Sequence, residues 1–109
     1  KVFKELFKDD NRFIIQKEIG QSSWFGFSLI INDESISRKK IIELLGNNSV
    51  DCRPIVTGNF TRNDVMKYFN YTTHNNLDNA DKLHDRGLFV GNSHEDLNKE
   101  LRYLKSVLG

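Results

Sequence analysis

Two arginines flank a Gly-Asn turn in the run Arg53-Pro54-Ile55-Val56-Thr57-Gly58-Asn59-Phe60-Thr61-Arg62-Asn63. A strand end carrying Arg, then a tight turn, then a helix start with a second Arg, is an arrangement suited to anions. Free backbone N–H groups and the helix dipole favour negative charge there, and two guanidinium groups can fork onto phosphate or carboxylate oxygens. The same residues also make an ordinary capped helix, with Arg53 paired to Asp51 or Asp64. A second pair, Gly91-Asn92, repeats the arrangement before the last helical pattern. Two polar Gly-Asn turns at two strand ends suit a ligand-facing rim, and they equally suit two well-formed loops.

Other chemistry is sparse. His74 falls in an Asn-rich loop, His84 on a short helix and His94 in the first turn of the last helix, and no two of them have metal-ligand spacing. Cys52 alternates with Val50 and Val56, so it reads as a small core residue rather than a nucleophile. The sequence has no G-x-S-x-G, G-x-x-x-x-G-K, G-x-G-x-x-G or H-E-x-x-H. Asp9-Asp10 and Glu95-Asp96 are helix-end pairs explained by solvation and capping. Three N-x-S/T triplets, at Asn47, Asn59 and Asn70, are what twelve asparagines produce by chance. No catalytic set and no metal site are expected, and the residues alone describe a ligand-contacting accessory domain.

The elements that must position these residues alternate in type. Val2, Phe3, Leu6 and Phe7 lie on one helical stripe. Phe13 to Ile19 reads as a strand, and so does WFGFSLII, where Phe25, Phe27, Leu29 and Ile31 alternate onto one apolar face with Gly26 and Ser28 opposite. Ser37 caps a helix to about Leu45, with Ile41, Leu44 and Leu45 inward and Gly46 ending it. Val50, Cys52 and Val56 predict a third strand, and Thr61 to Asp64 has capping-box spacing for a short helix ending near Phe69. A polar loop over 70–79, a brief helix to Gly87, the strand LFVG and a last helix with Leu97, Leu101, Leu104 and Leu108 on one face complete the chain. The prediction is one small α+β domain over 1–109, a mixed sheet with flanking helices.

Composition sets the outer bounds. The 109 residues carry 16 basic and 15 acidic side chains, which argues against a strongly electrostatic nucleic-acid or membrane binder. A chain of this size hides roughly 65% of its unfolded surface, enough for one core. There is no long apolar run and no signal-peptide pattern. The chain lacks an initiator Met and opens within a helical pattern, so it is expected to be a piece of something longer.

The runs Trp24-Phe25-Gly26-Phe27, Cys52 to Phe60, Met66-Lys67-Tyr68-Phe69, Asn79-Ala80-Asp81 and Gly87-Leu88-Phe89-Val90-Gly91-Asn92 together carry a resemblance. The chain resembles, from about Phe13 to Leu108, the C-terminal domain of the DegT/StrS-type sugar-nucleotide aminotransferases. The R-P-I-V-x-G-N-F form is most similar to the branch that removes the C3 hydroxyl of a GDP-4-keto-6-deoxy sugar. That resemblance implies the small domain of a fold-type-I pyridoxal-phosphate architecture. The cofactor, pyridoxamine or pyridoxal 5′-phosphate, is then held mainly by a large N-terminal domain. It implies a cytoplasmic homodimer acting in deoxysugar and O-antigen synthesis, with no nucleic acid or membrane partner. Carried onto this sequence, the substrate-facing residues are Trp24, Phe25, Arg53, Gly58, Asn59, Phe60, Arg62 and Asn92. One departure is that Ser93 follows the second Gly-Asn where relatives carry His, which displaces the histidine to His94.

Two other functions fit parts of the sequence. A pyridoxal-phosphate sugar aminotransferase of the perosamine type differs from the dehydratase only at a position of the large domain. A small nucleotide- or RNA-binding module would use Arg53, Arg62 and the neighbouring aromatics, against the near-zero net charge.

Overall fold

A computed structural model describes all of residues 1–109. In chain order its elements are α1 (Val2–Phe7), β1 (Phe13–Ile15), β2 (Gly26–Ile31), α2 (Arg38–Asn47), β3 (Cys52–Arg53), α3 (Asp78–Arg86), β4 (Gly87–Gly91) and α4 (Asn98–Leu108). The strands form one sheet in the order β1-β2-β4-β3, and every pairing is antiparallel. The α+β class is as the element pattern predicts, but the sheet is not mixed. β2 and β3 both oppose β4 and so run parallel to each other. The crossover through α2 leaves a gap between them, which β4 fills from the other direction.

The register decides which side chains share a face. Phe13 opposes Ile31, Leu29 opposes Leu88, and Phe27 and Cys52 both oppose Val90. These make the inner face, covered by Phe3 and Phe7 of α1, Ile41 and Leu45 of α2, and Leu101, Leu104 and Leu108 of α4. Each such side chain contributes about 2 kcal/mol on burial. The other face carries Ile14, Ile30, Ser28, Phe89 and Arg53, and no helix supplies a buried residue to cover it.

Several local expectations are corrected. The first strand ends at Ile15 rather than Ile19. Phe25 is 89% exposed, because Trp24 adopts φ 53° and this left-handed step breaks the alternation. Trp24 therefore joins the inner face in its place, packed on Phe3 and Phe27. Leu44 is turned outward on α2, about 100° around the helix from the buried Leu45. Gly46 sits inside that helix, and the left-handed turn falls at Ser49, φ 60°. The third strand stops at Arg53 because Pro54 has no N–H for the ladder, and Val56 is exposed. Thr61 does not cap a helix. Instead the Asn59 and Asn63 side chains accept from the N–H groups of Thr61 and Val65, closing two short 3-10 turns over Phe60–Arg62 and Asp64–Tyr68.

A polar cluster ties the ends of the domain together. Arg12 donates from Nε and Nη2 to Asp10 at 2.9 and 2.7 Å and from Nη1 to the carbonyl of Leu108 at 2.7 Å. Lys105 of α4 also bonds Asp10. The Arg12 hydrogen bond, helped by Lys105 and opposed by desolvation, holds the Asp10 carboxyl well below its ordinary value of 3.8. A depressed carboxylate stabilises the fold above its unfolded pKa, and that contribution is lost as pH falls below about 4. Asp10→Asn is expected to cost about 2 kcal/mol at pH 7. Urea midpoints of parent and variant should converge as pH falls from 4 towards 2, and parallel curves would refute the assignment.

Candidate functional site

The rim is built where the chain leaves β3. Pro54 ends the strand, the segment turns back through Gly58 at φ +61°, and Asn59 enters the first 3-10 turn. Asn59 is buried. Its Oδ1 accepts from the Thr61 N–H and hydroxyl at 3.1 and 2.6 Å, and its Nδ2 donates to Asp81 of α3 at 2.9 Å. Its backbone N–H donates to Nδ1 of His84 at 3.0 Å. Asn59 thus positions the rim against α3 and does not extend from it. Behind Pro54–Gly58 lies a cleft of about 270 Å³ that also takes in Arg38 and His84. Arg38 is committed there to the carbonyls of His84 and Gly87, at 2.5 and 3.3 Å.

Arg62 and Phe60 sit on the exposed side of that 3-10 turn. Arg62 pairs with Asp85 at 2.9 Å and Asp81 at 3.5 Å. Arg53 makes neither the Asp51 nor the Asp64 ion pair. It is exposed on the open sheet face and lies opposite Phe89 in the register. Phe89 packs against Phe25 with ring centroids 5.9 Å apart and planes tilted by 49°. Gly26 permits this, since a Cβ there would come within 2.7 Å of the Phe89 ring. Arg53 and the Phe89–Phe25 pair therefore share the open face of the sheet.

The second Gly-Asn pair serves a different cleft. Asn92 donates from Nδ2 to the carbonyls of Ser23 and Trp24, each at 2.8 Å, and thereby holds the left-handed step at Trp24. Trp24 and Asn92 line a cleft of about 190 Å³ with Lys4 and Glu18. Of the eight residues singled out, Arg53 and Phe25 come together around Phe89, Gly58, Asn59, Phe60 and Arg62 share the rim, and Trp24 and Asn92 form a third group. His84, Phe89 and Arg38 had no signal of this kind in the sequence. Their roles arise from pairings 25 to 64 residues apart.

Pyridoxal phosphate needs donors converging on its phosphate and a charged partner at its ring nitrogen. The cleft behind Pro54–Gly58 has no carboxylate, and its Arg38 is spent on carbonyls. In the Trp24–Asn92 cleft the one carboxylate, Glu18, is tied to Lys4 and to the Ser22 N–H. These residues do not make a cradle for that cofactor.

No family model matches the chain. Over 108 residues it is 53% identical to the GDP-4-keto-6-deoxy-D-mannose 3-dehydratase of Escherichia coli O55:H7, covering 97% of this chain and 28% of that protein. The chain is similar, along nearly its whole length, to one part of GDP-4-keto-6-deoxy-D-mannose 3-dehydratases. The Yersinia pseudotuberculosis dehydratase is 43% identical over 109 residues, again with 28% of its length covered. The E. coli dehydratase solved with hydrated PLP superposes with a TM-score of 0.94 at 52% identity, over 99% of this chain and 28% of that one. A histidine-to-asparagine variant solved with GDP-perosamine superposes with a TM-score of 0.93. This chain spans a little over a quarter of the dehydratases it matches, and its fold corresponds to their C-terminal part.

Proposed function

We propose that these 109 residues are the C-terminal small domain of a pyridoxamine-phosphate-dependent dehydratase that removes the C3 hydroxyl of a GDP-4-keto-6-deoxy sugar. The observation that carries this reading is the 53% identity to such an enzyme along 97% of the chain. The cofactor supplies the electron sink for loss of the hydroxyl. Its pocket, and any catalytic residue, lie in a large N-terminal domain outside these residues. The protein works as a cytoplasmic homodimer whose active sites this domain helps to close, and its product enters O-antigen-type deoxysugar synthesis. No helix here is long and apolar enough to cross a membrane.

In this reading the domain contributes substrate contacts. Arg53 makes no ion pair and shares the open sheet face with Phe89 and the exposed Phe25, where it would meet the diphosphate or the base of the nucleotide sugar. Phe25, Phe60 and Arg62 extend that surface, while Gly58, Asn59, Trp24 and Asn92 set its shape. Arg53→Ala in the full-length enzyme should raise the KM for the GDP-sugar about tenfold or more with a smaller change in kcat. An unchanged KM would remove Arg53 from the site. Product analysis tests the reaction itself. A 3-deoxy sugar supports the dehydratase, whereas a 4-amino sugar would make the enzyme a perosamine-type aminotransferase.

A further inference from the structure

The Asn59 N–H that donates to His84 Nδ1 at 3.0 Å joins residues 25 apart in sequence. The bond needs a lone pair on Nδ1, so the imidazole is neutral with its proton on Nε2. The two backbones are flush at this point. A Cβ on Gly58 would lie 2.7 Å from the same Nδ1 and 2.8 Å from His84 Cα. His84 is itself anchored, since its carbonyl accepts from Arg38 of α2 at 2.5 Å. The rim is fastened to α3 through Asn59 N–H to His84 and Asn59 Nδ2 to Asp81. Of these two bonds, the first is abolished by a proton on Nδ1.

We propose that neutral His84 is a positioning residue that sets the Gly58–Asn59 rim, and through it Arg53 and Phe60, for the nucleotide sugar, and that protonation of His84 releases the rim. The proposal rests on the substrate-rim reading above. The charged groups around the ring are Asp81 and Asp85 of its own helix, Arg62 of the 3-10 turn and Arg38 of α2. Arg62 pairs with both aspartates, and Arg38 holds carbonyls. The segment from Pro54 to Asn59 contributes no ionisable side chain. The group that must respond to a charge on Nδ1 is therefore the Asn59 N–H.

The test uses the full-length, cofactor-loaded enzyme with GDP-4-keto-6-deoxy-D-mannose. Between pH 8 and 5.5 the parent's KM should rise roughly fivefold to tenfold and its kcat much less. In His84→Asn, Oδ1 accepts in place of Nδ1 and cannot gain a proton, so KM should stay within about twofold of the parent's pH 8 value throughout. His84→Leu should show the raised KM at every pH. Amide hydrogen exchange at pH 8 gives a readout apart from activity, with faster exchange at Asn59 in His84→Leu and parental exchange in His84→Asn.

A parental KM rise persisting in His84→Asn, or His84→Leu with parental KM and exchange, would overturn the proposal. If His84→Leu does not fold, the pH profile of His84→Asn decides alone. Should Arg53→Ala raise KM while the His84 variants leave it unmoved, only the positioning role falls. Should neither move it, the substrate-rim reading falls as well.

Discussion

Phe3→Ala should cost about 4 kcal/mol, while Phe25→Ala should change stability by no more than about 0.5 kcal/mol. Phe3 is essentially fully buried and is the hub of an aromatic cluster. Its ring centroid lies 4.9 Å from that of Phe7, 4.9 Å from Phe27 and 5.9 Å, edge-on, from Trp24. Truncation leaves a cavity bounded by three other aromatics, Phe7 on the short helix, Phe27 on β2 and Trp24 just before it, which cannot collapse to fill it. Lost transfer energy, the cavity and lost aromatic pairs all add to the cost. Phe25 is 89% exposed and makes its aromatic contact only with Phe89 on the open face. The Phe25 variant should instead weaken substrate binding. Urea denaturation of both variants decides the matter, and equal losses would mean that the left-handed step at Trp24 is wrong.

Gly58→Ala should cost about 3 kcal/mol. The residue sits at φ +61°, where a side chain costs about 1–2 kcal/mol. The added Cβ would also meet His84 Nδ1, Cα and Cβ at 2.7 to 2.9 Å. One of those atoms is backbone of α3, so the helix or the rim must move, at a further cost of about 1–2 kcal/mol. Moving the rim also lengthens the Asn59 N–H to Nδ1 bond, so the same substitution should raise the KM for the GDP-sugar. Gly20→Ala is the control. It shares a positive φ, +79°, but has nothing within 4 Å of the new Cβ, so it should show only the conformational cost of about 1 kcal/mol and an unaltered KM. A Gly58 variant as mild as Gly20→Ala would show that α3 and the rim are not in contact.

Much of the fold is legible along the chain because its signals are local. The stripe of Leu101, Leu104 and Leu108 is a helix with one buried face, as its spacing requires. Leu29, Ile31, Leu88 and Val90 are inward strand residues, as alternation requires. The motifs around Arg53 and Gly91 are linear, so the resemblance to these dehydratases could be read from them without any geometry. The errors cluster where a local rule met a competing local bond. Asn59 and Asn63 diverted the 61–69 segment into 3-10 turns, and Pro54 cut the third strand short of Val56.

What the sequence determined by itself, then, is the order and type of the main elements, the α+β class, the resemblance to the dehydratases and the stretch in which to look for a rim. These depend on periodicities of 2 and 3.6 residues and on contiguous motifs, all of which operate within a few positions. The tertiary structure alone decided that Trp24 faces inward and Phe25 outward, and that Arg53 stands opposite Phe89. It also decided that Asn59 is a buried brace fastened to His84. Each of these turns on hydrogen bonds or register between residues 22 to 68 positions apart. Such pairs leave no periodic trace, because folding around the shared core, and not the local chain, brings the partners together.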